Sequence, residues 1–485
     1  MKPLDGKTIS ILGLGASGIA AARLALGKGG EVYVSDWRIE PSVAARGAEL
    51  RSLGARVDLG EHDLERLARS DTVVVSPGIP PDAPVLQALR SRGLGWISEP
   101  EFAFRFLAGS LIAVTGTNGK TTTAALTAHL LRQGGVQVGL GGNIGAAFGP
   151  PASELALLEP APEWFVVEVS SFQLADVVDF APDIGVVTNL APDHLDRYGC
   201  VEDYYADKAR LFDNATPRSR WVLNADDPEV ERLAGDSPGE RFWFSAGGSS
   251  SRGRADALLR DGVLFLGENL RRDGAGRGGP GRADDTRRRE GPGEPGVHDI
   301  PLLPQDQLPL LGRHNAANAL AAALTASLAG VSDREMIEGL KSFHPLPHRL
   351  EPVGRAHGLR WVNDSKATNV AATAGALASL EGPLVLLLGG KDKGEELAPL
   401  KAAMHAGVRG VVLYGEARQR FAGALAGTPG LQVVDGSFED AVSAARRLAE
   451  PGDLILLSPA CSSFDMFENY EARGRRFAAL AGQEV

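Results

Sequence analysis

Disulfide chemistry is the first thing this sequence lacks. Its 485 residues hold two cysteines, Cys200 and Cys461, which form neither a secreted-type framework nor a CxxC pair. The compartment that fits is a reducing, cytoplasmic one. Long apolar runs are missing too: the first, at 9–12, gives way at once to glycines, too short for a signal peptide. No window approaches the roughly 18 apolar residues of a membrane span. An excess of positive charge is also absent, because 50 Lys and Arg stand against 61 Asp and Glu, a net −11. A surface that repels phosphate on average excludes general nucleic-acid binding. Any anionic ligand must be met by locally gathered donors or by a cation.

What is present is ample length for about three domains of roughly 150 residues each. Apolar, often β-branched runs at 8–12, 32–35, 72–75, 111–115, 165–169, 184–188, 385–388, 411–413 and 454–457 alternate with Ala/Leu-rich stretches. Continuous apolar strands separated by helices predict parallel sheets covered on both faces, an α/β class throughout. The pattern restarts at Thr8, at Leu111 and near Trp361. Interruptions at Ser98-Glu99-Pro100 and His344-Pro345-Leu346-Pro347 divide the chain into expected domains 1–98, 99–345 and 346–485. Residues 271–297 contain no aromatic side chain and are expected to form a mobile surface insertion. Five acidic residues mixed with seven arginines there argue against a nucleic-acid tail.

The strongest motif is Thr115-Gly116-Thr117-Asn118-Gly119-Lys120-Thr121-Thr122, after an apolar strand and at the start of an Ala/Leu-rich helix. Such glycines let backbone N–H groups curl around phosphate oxygens at a helix N-terminus. Lys120 would reach the β and γ phosphates, and Thr121 would hold Mg²⁺. Val114 stands where the standard motif has its first glycine, so the match is GxxGKT. A second loop, Gly13-Leu14-Gly15-Ala16-Ser17-Gly18, carries the full GxGxxG fingerprint, with Asp36 ending the next predicted strand. Its spacing alone leaves three alternatives: a dinucleotide, another nucleotide-linked ligand, or a purely structural turn.

Two further strand ends carry polar residues, Glu168-Val169-Ser170-Ser171-Phe172-Gln173 and Asn189-Leu190-Ala191-Pro192-Asp193-His194. The carboxyl ends of strands line the crevice of an open α/β sheet, so Glu168 is a candidate Mg²⁺ ligand. His194 is a candidate second ligand or base, and Asp193 reads as a turn cap. Lys208, on a helix predicted over 201–214, reads by default as a solvated lysine.

Assembled, these pieces resemble the Mur ligases, over nearly the whole chain except the insert. Family-level residues are the Thr115 to Thr122 motif, Gly142-Asn143-Ile144-Gly145, Glu168, His194 and Arg313-His314-Asn315 through Asn318. Asn363-Asp364-Ser365-Lys366-Ala367-Thr368-Asn369 and Ser458-Pro459-Ala460-Cys461-Ser462-Ser463-Phe464-Asp465 resemble the D-glutamate-adding branch. The resemblance implies a Rossmann-like uridine-nucleotide domain, a central ATPase and a C-terminal Rossmann-like amino-acid domain. It implies ATP-driven joining of D-glutamate to UDP-N-acetylmuramoyl-L-alanine through an acyl phosphate, with two Mg²⁺ sites, by a monomer without nucleic-acid or membrane partners.

It further implies a role for each residue. Lys120, Glu168, His194 and Lys208 are catalytic. ATP is held by Gly116, Thr117, Asn118, Gly119, Lys120, Thr121, Thr122, Asn315, Asn318, Arg349 and Asp364. The uridine substrate meets Gly15, Ala16, Ser17, Asp36, Trp37, Arg38, Ser76, Gly78 and Asn143, which favours a UDP-sugar peptide over NAD at the first loop. D-Glutamate meets Lys366, Ser463 and Tyr470, the last standing where relatives often have phenylalanine. Metal is held by Thr121, Glu168, His194 and a carbamoylated Lys208. On the residues alone, Asp364 could equally cap a helix starting at Thr368. The rival readings are another amide ligase, such as a folate polyglutamylating enzyme, a nucleotide-sensing regulator, and a dehydrogenase.

Overall fold

The computed structural model describes residues 3–195, 197–247, 255–267, 299–356, 358–380 and 382–482. The expected insertion at 271–297 lies outside them. Three sheets form in succession. The first holds five parallel strands, in spatial order Arg56–Leu59, Glu31–Asp36, Thr8–Leu12, Thr72–Val75 and Ile97–Ser98. Ile9, Ile11, Val32 and Val34 are buried because parallel strands are covered by helices on both faces.

The central sheet has nine strands, and Ser110–Thr115 lies between Ile184–Val187 and Trp164–Glu168. That neighbourhood brings the ends of three strands to one crevice, carrying Gly116, Glu168 and Thr188. The helix Lys120–Gln133, with alanines and threonines along it, packs against the alanine-rich Arg313–Leu328, so that small side chains permit close approach. The third sheet has six strands, with Leu384–Gly389 and Leu454–Leu457 at its centre.

The class is α/β with mostly parallel sheets, as expected, but not throughout. Ala257–Arg260 pairs antiparallel with Val263–Gly267, which pairs antiparallel with Asp299–Pro304. Glu351–Ala356 is an antiparallel edge on the third sheet. The predicted helix over 201–214 ends earlier, as Val201–Ala209 followed by a 3₁₀ turn at Arg210–Phe212. Asp364 does not cap the next helix. Val370–Ser379 is capped by Asn369, whose side chain accepts the Ala372 N–H. Among the described residues no helix is long and apolar enough to cross a membrane.

Candidate functional site

The central glycine loop is set by its neighbours. Gly116 has φ +135° and Gly119 φ +85°, both in the region that favours glycine. A Cβ at Gly116 would run into Thr188 Oγ1, and one at Gly119 into Asn318 Oδ1. Asn189 clasps the loop from the side, accepting the Asn118 N–H at 2.9 Å and donating to Asn118 O at 2.8 Å. Thr122 faces the adjoining cavity described below.

Lys120 is folded back onto this loop, its Nζ donating to Gly116 O at 3.0 Å and Thr117 O at 2.8 Å. Burial lowers its pKa, against the pull of Glu168 and Asp193. Thr121 Oγ1 donates to Glu168 Oε2 at 2.7 Å, and Arg349 Nη2, from the third domain, reaches the same hydroxyl at 2.6 Å. Lys208 is not the solvated helix lysine of the default reading. It is 1% exposed, its Nζ donates to Gly116 O at 2.8 Å, and it lies 4.6 Å from the Tyr204 ring centroid. Burial, then the charge of Lys120, drives its amine well below the ordinary value.

Asp193 is more than a turn cap. Its carboxylate accepts from Asn369 Nδ2 at 2.9 Å and lies 3.9 Å from Lys393 Nζ, so both domains meet there. Burial opposes its ionisation, but His194 and Lys393 hold its carboxyl below the usual range. The His194 ring packs 4.9 Å from Phe172 on a left-handed backbone, φ +57°.

Around these groups runs a cleft lined by Lys120, Thr121, Asn143, Glu168, His194, Lys208, Arg349, Lys366, Lys393 and Tyr470. Six lysines and arginines line it against three carboxylates, Glu168, Asp193 and Glu471. An acidic protein has thus gathered cations at one place, which suits a polyphosphate and a dicarboxylate. Lys366 lies 4.1 Å from the Tyr470 ring, and burial, then Arg349, pushes its amine down to about 8. Ser463, expected here, is 2% exposed and is not part of the cleft wall. Its carbonyl is used by Met466 N–H and Phe467 N–H within its own turn.

On one side the cleft opens into a cavity lined by Asn118, Gly119, Thr122, Asn224, Asp226, Arg313, His314, Asn315, Asn318 and Asp364. Burial holds the His314 imidazole down at about 4, and its Nδ1 lies 2.8 Å from Ser379 Oγ. Asp364 is pushed up to about 7 by burial, although Ser458 Oγ donates to it at 2.7 Å and Leu350 N–H at 3.2 Å.

On the other side lies a cavity of about 1090 Å³ lined by Gly13, Gly15, Ala16, Ser17, Asp36, Trp37, Arg38, Ser76 and Gly78. A Cβ at Gly18 would run into Gly13 O, so that glycine serves helix–strand packing, whereas one at Gly15 would meet nothing within 4 Å. Burial opposes ionisation of Asp36, but Arg38 at 2.8 Å and the Leu14 N–H at 2.6 Å bring its carboxyl down to about 2. Trp37 stands 73% exposed at the rim.

The three cavities share walls. Ala16, Ser17, Pro77 and Gly78 belong to both the cleft and the first-domain cavity, and Asn118, Gly119, Arg349 and Lys366 to both the cleft and the third-domain side. Sequence reading gives Asp193 only a turn-capping role and does not single out Lys393 or Arg473. The last is fully buried and ties the Lys366 loop to the 461–462 loop, donating to Ser365 O at 2.8 Å and Cys461 O at 3.1 Å. An arginine in a helix carries no local signal of such a role.

For a metal, the donor set at Thr121 and Glu168 is hard oxygen at a helix N-terminus, which suits Mg²⁺ sharing phosphate oxygens. Among the described residues no cluster of three or more His, Cys, Asp or Glu forms an all-protein cage.

The family models "Mur ligase MurD-like, N-terminal domain", "Mur ligase middle domain" and "Mur ligase, glutamate ligase domain" match residues 7–98, 114–256 and 348–461. A UDP-N-acetylmuramoylalanine–D-glutamate ligase of Acidobacterium capsulatum is 39% identical over 479 residues, covering 98% of this chain and 96% of that one. One from Geobacter metallireducens is 38% identical over 477 residues, covering 98% and 97%. Among solved structures, a UDP-N-acetylmuramate-alanine ligase from Thermotoga maritima superposes with a TM-score of 0.56 at 18% identity, covering 98% of each chain. MurF from Acinetobacter baumannii superposes at 0.58 and 15% identity, covering 93% and 91%, a likeness of fold. With three domain models matched in chain order and relatives similar from end to end, the chain belongs to the Mur ligase family.

Proposed function

We propose that this chain joins D-glutamate to UDP-N-acetylmuramoyl-L-alanine at the cost of ATP, releasing ADP and phosphate, in the cytoplasmic assembly of peptidoglycan precursors. The observation that carries it is the set of shared walls: one glycine loop and its cations stand between two ligand cavities. Condensing an acid with an amine in water needs an activated acid, and a layout with shared walls supports a reading in which acid, phosphate donor and amine meet in one cleft.

The uridine end of the acid substrate occupies the first-domain cavity, and its carboxylate reaches into the cleft past Asn143. ATP lies with its adenine beside His314, Asn315 and Asn318 and its phosphates over Gly116 to Thr122. A substrate carboxylate oxygen bonds to the γ phosphorus as the bond from that phosphorus to the bridging oxygen breaks, and ADP leaves. Lys120 and Arg349 offset the charge that accumulates on the transferring group. The D-glutamate amine then adds to the acyl carbon, phosphate departs with its bonding electron pair, and the nitrogen's proton passes to the departing phosphate. Lys366, Lys393 and Tyr470 form the wall that meets a two-carboxylate amino acid.

Thr121, Glu168 and His194 would hold Mg²⁺, which supplies charge neutralisation on the phosphates. Lys208 would extend that set as a carbamate, formed when carbon dioxide adds to the neutral amine that burial favours and the displaced proton goes to water.

The test is incubation with ATP, Mg²⁺, UDP-N-acetylmuramoyl-L-alanine and D-glutamate. ADP and phosphate appearing in step with a new amide is the expected result. AMP and pyrophosphate, or ATP consumption independent of either partner, overturns it.

A further inference from the structure

Arg197 follows the His194 turn and reaches out of the central domain. Its Nη1 donates to Pro77 O at 2.8 Å and its Nη2 to Ile79 O at 2.9 Å. Both carbonyls belong to the loop after Thr72–Val75, whose Ser76, Pro77 and Gly78 wall the first-domain cavity. The guanidinium carbon sits 3.8 Å from the centroid of the Phe172 ring. One side chain therefore grips the ligand loop of one domain while stacked on a ring at the cleft of the next.

The packing continues inward. Phe172 lies 4.9 Å from the His194 ring and 5.5 Å from Tyr198, and Tyr204 lies 6.1 Å and 5.3 Å from the same two rings. The Tyr204 hydroxyl donates to Thr117 Oγ1 at 3.2 Å, on the central glycine loop. The backbone closes the same circuit, because the Arg197 and Tyr198 N–H groups both donate to His194 O, at 2.9 and 3.0 Å. Imidazole and guanidinium project from one closed turn, so a shift of the first-domain loop is felt at His194. The grip depends on a planar fork, which lysine does not have.

We propose that Arg197 is a positioning residue for the ligase reaction: it fixes the first-domain ligand loop to the His194 turn, so that the acid end of the uridine-linked substrate meets the γ phosphate. This rests on the function proposed above. Arg197 itself acts through Pro77, Ile79 and Phe172.

The test uses the full chain with both substrates, ATP and Mg²⁺, comparing wild type, Arg197→Lys and Arg197→Ala. Active sites are counted by calorimetric titration with UDP-N-acetylmuramoyl-L-alanine, and kcat is expressed per titrated site. For Arg197→Ala a loss of about 10- to 100-fold in kcat per site is expected, since small misplacements carry such penalties. The Kd of the uridine substrate is expected to stay within about threefold, the split that separates positioning from binding. Arg197→Lys, which keeps a cation over Phe172 but not the fork, is expected to fall between. A merely structural arginine would lower the number of titrated sites and leave kcat per site intact, which overturns the proposal. Should Arg197→Ala not fold, wild-type kcat per site in Arg197→Lys overturns it instead. A wild-type chain that forms no amide is the failure of the proposed function; an active wild type with an unaltered variant is the failure of this inference alone.

Discussion

The two glycine loops have the same local plan, strand then turn then helix, yet different charge. At the first, the nearby carboxylate Asp36 is already occupied by Arg38 and the Leu14 N–H, and Gly15 leaves open space at the helix start. At the second, Lys120 rests on Gly116 O and Thr117 O and Arg349 on Thr121 Oγ1, and both glycines are pressed against polar side chains. Under the proposed function, the first loop would hold a ligand without reacting and the second would meet charge that grows during a reaction. Backbone shape is common to both, and the side chains delivered from distant strands make the difference.

The largest expected effect that separates the loops is at Lys120. Lys120→Ala should lower D-glutamate-dependent ADP release by about 10²- to 10³-fold, the scale of lost electrostatic stabilisation, while calorimetry finds the uridine substrate bound within about twofold of wild type. Full turnover in that variant would erase the difference between the two loops. Next come the glycines. Gly119→Ala combines a left-handed backbone with the approach of Asn318, and is expected to raise the KM for ATP more than about tenfold. Gly15→Ala enters open space and should leave stability within about 0.5 kcal/mol, while raising KM for the uridine substrate alone.

The smallest effect concerns the junction behind both loops. Glu99, fully buried, has its carboxyl pushed up to about 7 by burial, although the Ser153 N–H donates to it. A carboxyl raised in the folded state gives its full stabilisation below its unfolded value near 4.3 and loses it as pH climbs through about 7. Glu99→Gln should therefore raise Tm relative to wild type by about 2–4 °C at pH 8.5 and by less at pH 6, with kcat unchanged. Equal Tm differences at the two pH values would contradict a neutral Glu99.

The strand-to-loop openings at Thr8 and Leu111 were legible because apolar continuity, glycine and a following helix are all local signals. The strand predicted at 72–75 matches Thr72–Val75, and that at 454–457 matches Leu454–Leu457. The antiparallel strands Ala257–Arg260 and Glu351–Ala356 escaped because they are short and mix charged or glycine residues with apolar ones, leaving little periodic signal. The burial of Lys208 is not legible in its own segment, for a different reason. Its helix Val201–Ala209 shows an ordinary polar surface pattern, and only tertiary folding brings Gly116 against the amine. Asp193 and Lys393 meet across domains, an encounter that spacing within either segment does not encode.

The shared walls of the three cavities have a practical corollary. Asn118, Gly119, Arg349 and Lys366 belong to two compartments at once, so a two-headed molecule with a short tether finds its second berth already within reach of the first. Each head then raises the effective concentration of the other, and avidity grows without a single new contact.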